Sequence, residues 1–372
     1  MQSDASQEAE LNEPHLSLGA RLQAHRTVSK SLKSRSDAAL GELLAGAAPL
    51  GGGIGGATAL ARLEGHPVFV KHVRLTDLEL QTGNMRSTAN LFNLPNFCQY
   101  GLGRIGAPGF GAWRELAVHV LTTEWVTTGV HEGFPLLHHW RVLSDPGRPP
   151  PEELADVEHA VAYWGGGPAI RRRLEGLDRS TTGLVLFLEY IPQNLHDWLG
   201  VQVGADPVAA ARAVDMVERE LSSGISFMNS RGLLHFDAHF ENILTDGRRL
   251  FFADYGLAIS SNFALSPAES AFFDDHASYD RCYAATHLVN WLLVELFGCG
   301  PQERAELVRS CAQGTLPDGT PPRLENILLR HGPIAAVLGD FYRRFQGISR
   351  ATPYPHQAVR RLEQSLDGGL GA

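Results

Sequence analysis

A chain of 372 residues with 44% apolar residues and a net charge of −9 has room for one large two-lobed domain or two ordinary ones. No apolar run approaches the ~20 residues of a membrane span, and the acidic balance argues against nucleic acid as a partner. Four widely spaced cysteines (Cys98, Cys282, Cys299, Cys311) form no C-x-x-C pair, which excludes a zinc frame or disulfide scaffold and reads as reduced thiols in a cytoplasmic protein.

Residues 1–16 are polar and acidic, read as disordered, and carry no secretory signal pattern. Residues 17–36 interleave Arg21, Arg26, Lys30, Lys33 and Arg35 with Leu18, Leu22, Val28 and Leu32. The stretch 1–36 is therefore expected to be a solvated basic leader, with a short helix on a partner or membrane surface as the alternative. From Leu43 the pattern becomes strand, glycine turn, strand, tight turn, strand, ending in Val68-Phe69-Val70-Lys71. Gly51, Gly53 and Gly56 satisfy G-x-G-x-x-G, but a dinucleotide fold needs a helix directly after the glycines. The β-rich run that follows favours a glycine loop between antiparallel strands. Lys71, 15 residues past Gly56, is one of only three lysines in a chain otherwise committed to arginine. A compact ammonium beside a glycine loop suits a polyanion.

Residues 74–111 interrupt the pattern, with Thr76–Asn90 predicted helical and 101–111, rich in glycine, predicted as loop. Ala112–Thr127 is predicted as a helix with Glu115 one turn in. Phe134 to Val142 reads as a strand, 144–182 as a second interruption with a Pro-rich loop and a charged helix, and Gly183–Ile191 as a buried strand ending in a turn. A helix opens at Asn194–Leu199, and an amphipathic helix over Pro207–Arg231 leads into His235-Phe236-Asp237, with Asn242 five residues on. A turn at Thr245-Asp246-Gly247 joins this to a second apolar strand ending in Asp254-Tyr255-Gly256. Asp280 opens a further helix, and helices near 302–313, 323–345 and 354–367 close the chain. Burying Asp and Asn between apolar strands is costly unless they are paired. One carboxylate to orient a hydroxyl, with an Asn and a second Asp to hold Mg²⁺, is what phosphoryl transfer needs.

The block from His235 to Gly256 resembles the catalytic loop (H-R-D-x-x-x-x-N) and metal turn (D-F-G) of the protein-kinase-like superfamily. The resemblance covers about residues 43–300. It implies an α+β bilobal protein-kinase-like fold: a small antiparallel β-rich N-lobe over 37–190 with insertions at 74–111 and 144–182, and a larger helical C-lobe over 191–372. It also implies ATP and Mg²⁺. Asp237, with His235 beside it, would act on the acceptor hydroxyl; Asn242 and Asp254 would hold the metal. Lys71 would grip the phosphates under Gly51, Gly53 and Gly56, and Glu189 and Ile191 would offer backbone contacts to the adenine. Glu115 is the candidate partner of Lys71, with Glu79 as competitor. Asp280 matches the carboxylate that caps the catalytic loop. Phe236 stands where many protein kinases carry Arg, which argues against phospho-activation, and His239 stands where they carry Lys, as in antibiotic and choline-type phosphotransferases. The 23 residues between Gly256 and Asp280 are short for a regulated activation segment, and Ser266-Pro267-Ala268-Glu269 only loosely resembles A-P-E. The implied activity is γ-phosphoryl transfer to Ser or Thr of a protein or peptide. A small-molecule phosphotransferase is the alternative, and a non-catalytic scaffold a third reading.

Overall fold

The computed structural model describes residues 17–103, 105–145 and 148–368 and is an α+β protein. Its first helix, α1 (Leu18–Ser34), is N-capped by the Ser17 hydroxyl and buries Arg21, Val28, Ser29 and Leu32 along one stripe. Residues 18–34 are thus part of the folded body and not a solvated leader; of the basic side chains that suggested otherwise, Arg26, Lys30 and Lys33 occupy the outer face and Arg21 is buried. Helix α2 (Asp37–Ala45) follows.

Strands β1 (Ala48–Gly53), β2 (Gly56–Leu63) and β3 (His66–Leu75) are joined by tight turns. With β4 (Leu137–Ser144) and β5 (Thr182–Glu189) they form a five-stranded sheet of order β1-β2-β3-β5-β4, antiparallel throughout. Both faces are covered, which explains the nearly unbroken apolar run of β5. Val185 and Phe187 join Val68 and Val70 against Val28 and Leu32 of α1. Leu184, Leu186 and Leu188 join Val73 and Leu75 against Trp113 and Leu116. Alternation along a strand therefore turns Lys71, in step with Val73 and Leu75, toward the second face.

Two predictions fail locally. Thr76–Asn90 is helical only over α3 (Asp77–Leu80), because Thr82-Gly83-Asn84 forms a 3₁₀ turn and Arg86 lies at φ 60°. The two interruptions, expected as separate insertions, also share one core. Phe92, Leu94, Tyr100, Leu102 and Phe110 pack with Trp164, Ile170 and Leu174, and the same cluster runs on into Tyr279, Phe341 and Phe345. The helix carrying Trp113 is α4 (Ala112–Thr127); those in the second interruption are α5 (Val157–Tyr163) and α6 (Pro168–Asp178).

Strand β6 (Gln193–Asn194) leads through α7 (Leu195–Ala205) to α8 (Pro207–Ser230), whose Val214, Val217, Leu221, Ile225 and Met228 enter the largest apolar cluster. Strands β7 (Leu233–Leu234), β8 (Ile243–Thr245), β9 (Leu250–Phe252) and β10 (Ile259–Ser260) carry the polar block. Helices α9 (Pro267–Asp275), α10 (Tyr279–Phe297), α11 (Pro301–Ala312), α12 (Pro322–Gly347) and α13 (His356–Gly368) complete the chain. All four cysteines are buried and unpaired with one another. Among the described residues no helix is long and apolar enough to cross a membrane.

Candidate active site

Local register assembles the polar block. The Asp246 carboxylate accepts from the Arg248 and Arg249 N–H groups, Gly247 turns at φ 80°, and β8 pairs with β9. That ladder continues as Ala253 N–H donating to Asn242 O (3.0 Å), which brings Asn242 beside Asp254. Pairing of β7 with β10 then returns the chain beyond Asp254 to the strand before His235.

Two non-glycine residues here have left-handed backbone: Phe236 (φ 64°) and Asp254 (φ 60°). For a bulky side chain this costs about 1–2 kcal/mol, so the surroundings must impose it. They do. The buried Asp280 carboxylate accepts from the N–H groups of both His235 (2.6 Å) and Phe236 (2.8 Å), and the Phe236 ring stacks on Tyr279 (4.5 Å, 16°). Burial pushes Asp280 up to about 6, against the pull of those two N–H groups. Strain held at a polar turn is a feature of functional sites.

Lys71 comes from β3 and is 4% exposed. Its Nζ lies 2.8 Å from Glu115 Oε1 and 2.8 Å from Asp254 Oδ1. Burial pulls its pKa down, but the Asp254 and Glu115 carboxylates outweigh burial and hold it above the usual lysine value. Asp254, opposed by burial but stabilised by Lys71 and by the Gly256 N–H, is held below the usual carboxylate range. Glu79 does not compete for Lys71. Its oxygens accept from Thr76 N–H (2.9 Å), Arg173 Nη1 (2.7 Å) and Ala112 N–H (2.9 Å), so it caps the helix that presents Glu115.

Asp237 has a side chain 19% exposed. Burial, reinforced by the nearby Asp254 charge and opposed by Lys71 and Asn242, pushes it up to about 8. The Asn242 amide donates to Asp237 O (3.0 Å) and Oδ2 (3.1 Å). With its N–H groups so used, Asn242 offers its carbonyl oxygen as a ligand. Lys71 and the Gly256 N–H take Asp254 Oδ1, which leaves Oδ2 as the second oxygen donor. Among the described residues no group of three His, Cys, Asp or Glu converges on a metal. Two oxygen donors alone fit Mg²⁺ of the kind that shares its shell with phosphates and water.

His235 is placed differently from expectation. It is fully buried, its Nε2–H donates to Ala253 O (3.0 Å), and burial lowers its pKa to about 4. It is a neutral tie between the loop and the Asp254 turn.

The glycines lie in a hairpin closed by Gly53 opposite Gly56. Only Gly56 is demanded by geometry: φ is 130°, and a Cβ there would lie 2.8 Å from His72 O and 3.5 Å from Lys71 Cε. Gly51 is an ordinary strand residue. At the tip, Ile54 N–H donates to Glu153 Oε1 (3.3 Å). Glu189 ends β5 opposite Val68, and Ile191 lies just beyond, where the chain leaves the five-stranded sheet for β6. The Glu189 side chain is gripped by Arg21 through two bonds of 2.8 Å.

Sequence reasoning missed the buried Arg114–Glu269 pair (2.6 Å), the Arg21–Glu189 fork, Glu153, and the approach of Gly101 to Asp237. For Arg114 a signal existed: Trp113-Arg114-Glu115-Leu116 places two charges inside a buried helical face. A basic groove of about 700 Å³ between α1 and β4, lined by Arg26, Lys30, Lys33 and His138 among others, shares no residue with this constellation. No family model matches the chain, and a search of curated proteins finds no match.

Proposed function

We propose that the protein is a bilobal, kinase-like phosphotransferase that moves the γ-phosphoryl group of ATP, with Mg²⁺, to an alcohol. The observation that carries this reading is Lys71 Nζ held 2.8 Å from both Glu115 and Asp254, with Asp237 and Asn242 beside them. Four separate elements supply these groups, and a paired ammonium of this kind serves to orient a polyanion.

Lys71, fixed by Glu115, binds and orients phosphate oxygens under the Gly51–Gly56 hairpin. Asn242 and Asp254 hold the metal, which when bound supplies charge neutralisation on the transferring group. Asp237 orients the acceptor hydroxyl and takes its proton when ionised, a form that grows as pH rises through about 8. Glu189 and Ile191, where the chain leaves the five-stranded sheet, would offer backbone groups to the purine edge, with the Glu189 N–H itself already donated to Leu136 O (2.8 Å). The test is thermal shift with ATP, with and without Mg²⁺. Stabilisation that needs Mg²⁺ and is lost in Asp254→Ala is expected; equal stabilisation in EDTA contradicts the metal assignment.

A further inference from the structure

We propose that residues 100–102 form a fixed wall over the Asp237 carboxylate, so that the acceptor is a small alcohol and not a Ser or Thr within a polypeptide. The inference rests on the phosphotransferase reading and names the substrate class of that site.

Gly101 lies directly on the carboxylate. A Cβ built there would stand 2.3 Å from Asp237 Oδ1, 2.9 Å from its Cγ and 3.0 Å from Leu257 Cδ1. The other oxygen, Oδ2, accepts from Asn242 and has His239 Nε2 3.9 Å away. The carboxylate therefore has one narrow exposed sector.

The wall is anchored on both sides of Gly101. Tyr100 is 3% exposed, and its ring lies 5.1–6.0 Å from those of Phe345, Phe341, His276, Tyr279, Phe272 and Phe236. Its hydroxyl is 2.5 Å from His276 Nε2. Because His276 Nδ1 lies 2.6 Å from Phe272 O, that nitrogen carries the proton and Nε2 accepts from Tyr100. The Gln99 amide donates to Leu257 O, Asn96 donates to Ala268 O (3.0 Å), and Thr88 Oγ1 accepts from Ala264 N–H (2.9 Å). The covering is thus stitched along the segment that follows the Asp254 turn. At the other rim it reaches the glycine hairpin, where a Cβ at Gly106 would lie 2.3 Å from Ile54 Cγ2.

A Ser or Thr hydroxyl is two bonds from its own Cα. Bringing it within hydrogen-bond reach of Asp237 brings the flanking backbone to the space that the backbone of residues 100–102 occupies. A small alcohol carries no such flanks and can enter through the open sector. Gly101 sets the clearance: it has no side chain because any side chain would turn Asp237 aside.

The test uses the full chain with Mg²⁺ and [γ-³²P]ATP. Calorimetric Mg-ATP binding comes first; its absence rejects the phosphotransferase reading and this inference with it. With binding established, label is expected in a pool of small hydroxy metabolites and at background in a Ser/Thr peptide library. Peptide labelling at a comparable rate overturns the wall and leaves the phosphotransferase reading standing. Water, the smallest acceptor, gives a second arm through basal ATP hydrolysis. Gly101→Ala should lower hydrolysis at least tenfold while ATP affinity and melting temperature hold, since the atom it meets is the end of a side chain. The double variant Gly101→Ala, Leu257→Ala relieves the other close contact and should behave alike. Unchanged hydrolysis in either variant, or none in the wild type at saturating Mg-ATP, overturns the proposal.

Discussion

The stretch 233–256 and the covering built from residues 85–103, 105–114 and 152–178 meet at Asp237, yet they are held by different kinds of contact. In the first, most ties are made within the stretch itself: Asn242 on Asp237, β8 on β9, His235 on Ala253, with Asp280 on the His235 and Phe236 N–H groups and Lys71 on Asp254 as the distant partners. In the second, the ties span long stretches of chain. Arg173 reaches Glu79 across 94 residues, Arg114 reaches Glu269 across 155, and Asn96 reaches Ala268 across 172. The comparison teaches that a polar constellation can be ordered largely within a short stretch while what covers it depends on distant partners.

Substitutions at the polar constellation and at the long-range ties should therefore fail in different ways. Lys71→Arg places a planar, larger cation between two carboxylates and beneath Gly56, and its fork does not reproduce a point charge. Turnover is expected to fall at least ~100-fold, with the unfolding midpoint little changed; near-normal kcat/KM would show that Lys71 is structural. Glu269→Gln should do the reverse. It leaves Arg114, 2% exposed, without its counter-charge, and breaking such a pair costs about 3–5 kcal/mol. Urea unfolding measures this; a loss under 1 kcal/mol would mean that α4 is held by its other contacts and not by this pair. The smallest expected effect is at the hairpin tip. Glu153→Gln removes a carboxylate that sits on an N–H where a phosphate oxygen would bind, so ATP affinity should rise, by up to about tenfold or ~1.4 kcal/mol. Unchanged or weaker binding in calorimetry would place the phosphates elsewhere.

The same contrast explains what was legible in the sequence. Strand alternation gave the face of Lys71, and the spacing of Asp237, Asn242 and Asp254 picked out residues that the fold brings together, because those relations are local. The Glu115 partnership was readable only as one of two options, and the structure separates them by giving Glu79 to Arg173 and Ala112. Phe92, Leu94, Tyr100 and Leu102 were illegible as core, since they lie among turns and a short 3₁₀ helix and belong to no regular strand or long helix. Helix α1 was misread because its outward charges hid the inward Arg21, whose partner Glu189 lies 168 residues on. His235 was read as catalytic by position; the structure buries it with its Nε2–H on Ala253 O.

Asp237→Asn, followed by melting temperature, ATP affinity and the pH profile of turnover on one preparation, tests the central claim most directly. Burial holds the Asp237 carboxyl protonated up to about 8, so the proton-accepting form grows as pH rises through that value, and wild-type turnover should rise with it. The variant is expected to keep its fold and ATP affinity, lose about 10²–10⁴-fold in kcat, and show no such limb. Unchanged turnover, or a joint loss of stability and nucleotide affinity, would make Asp237 a structural loop residue and contradict the account.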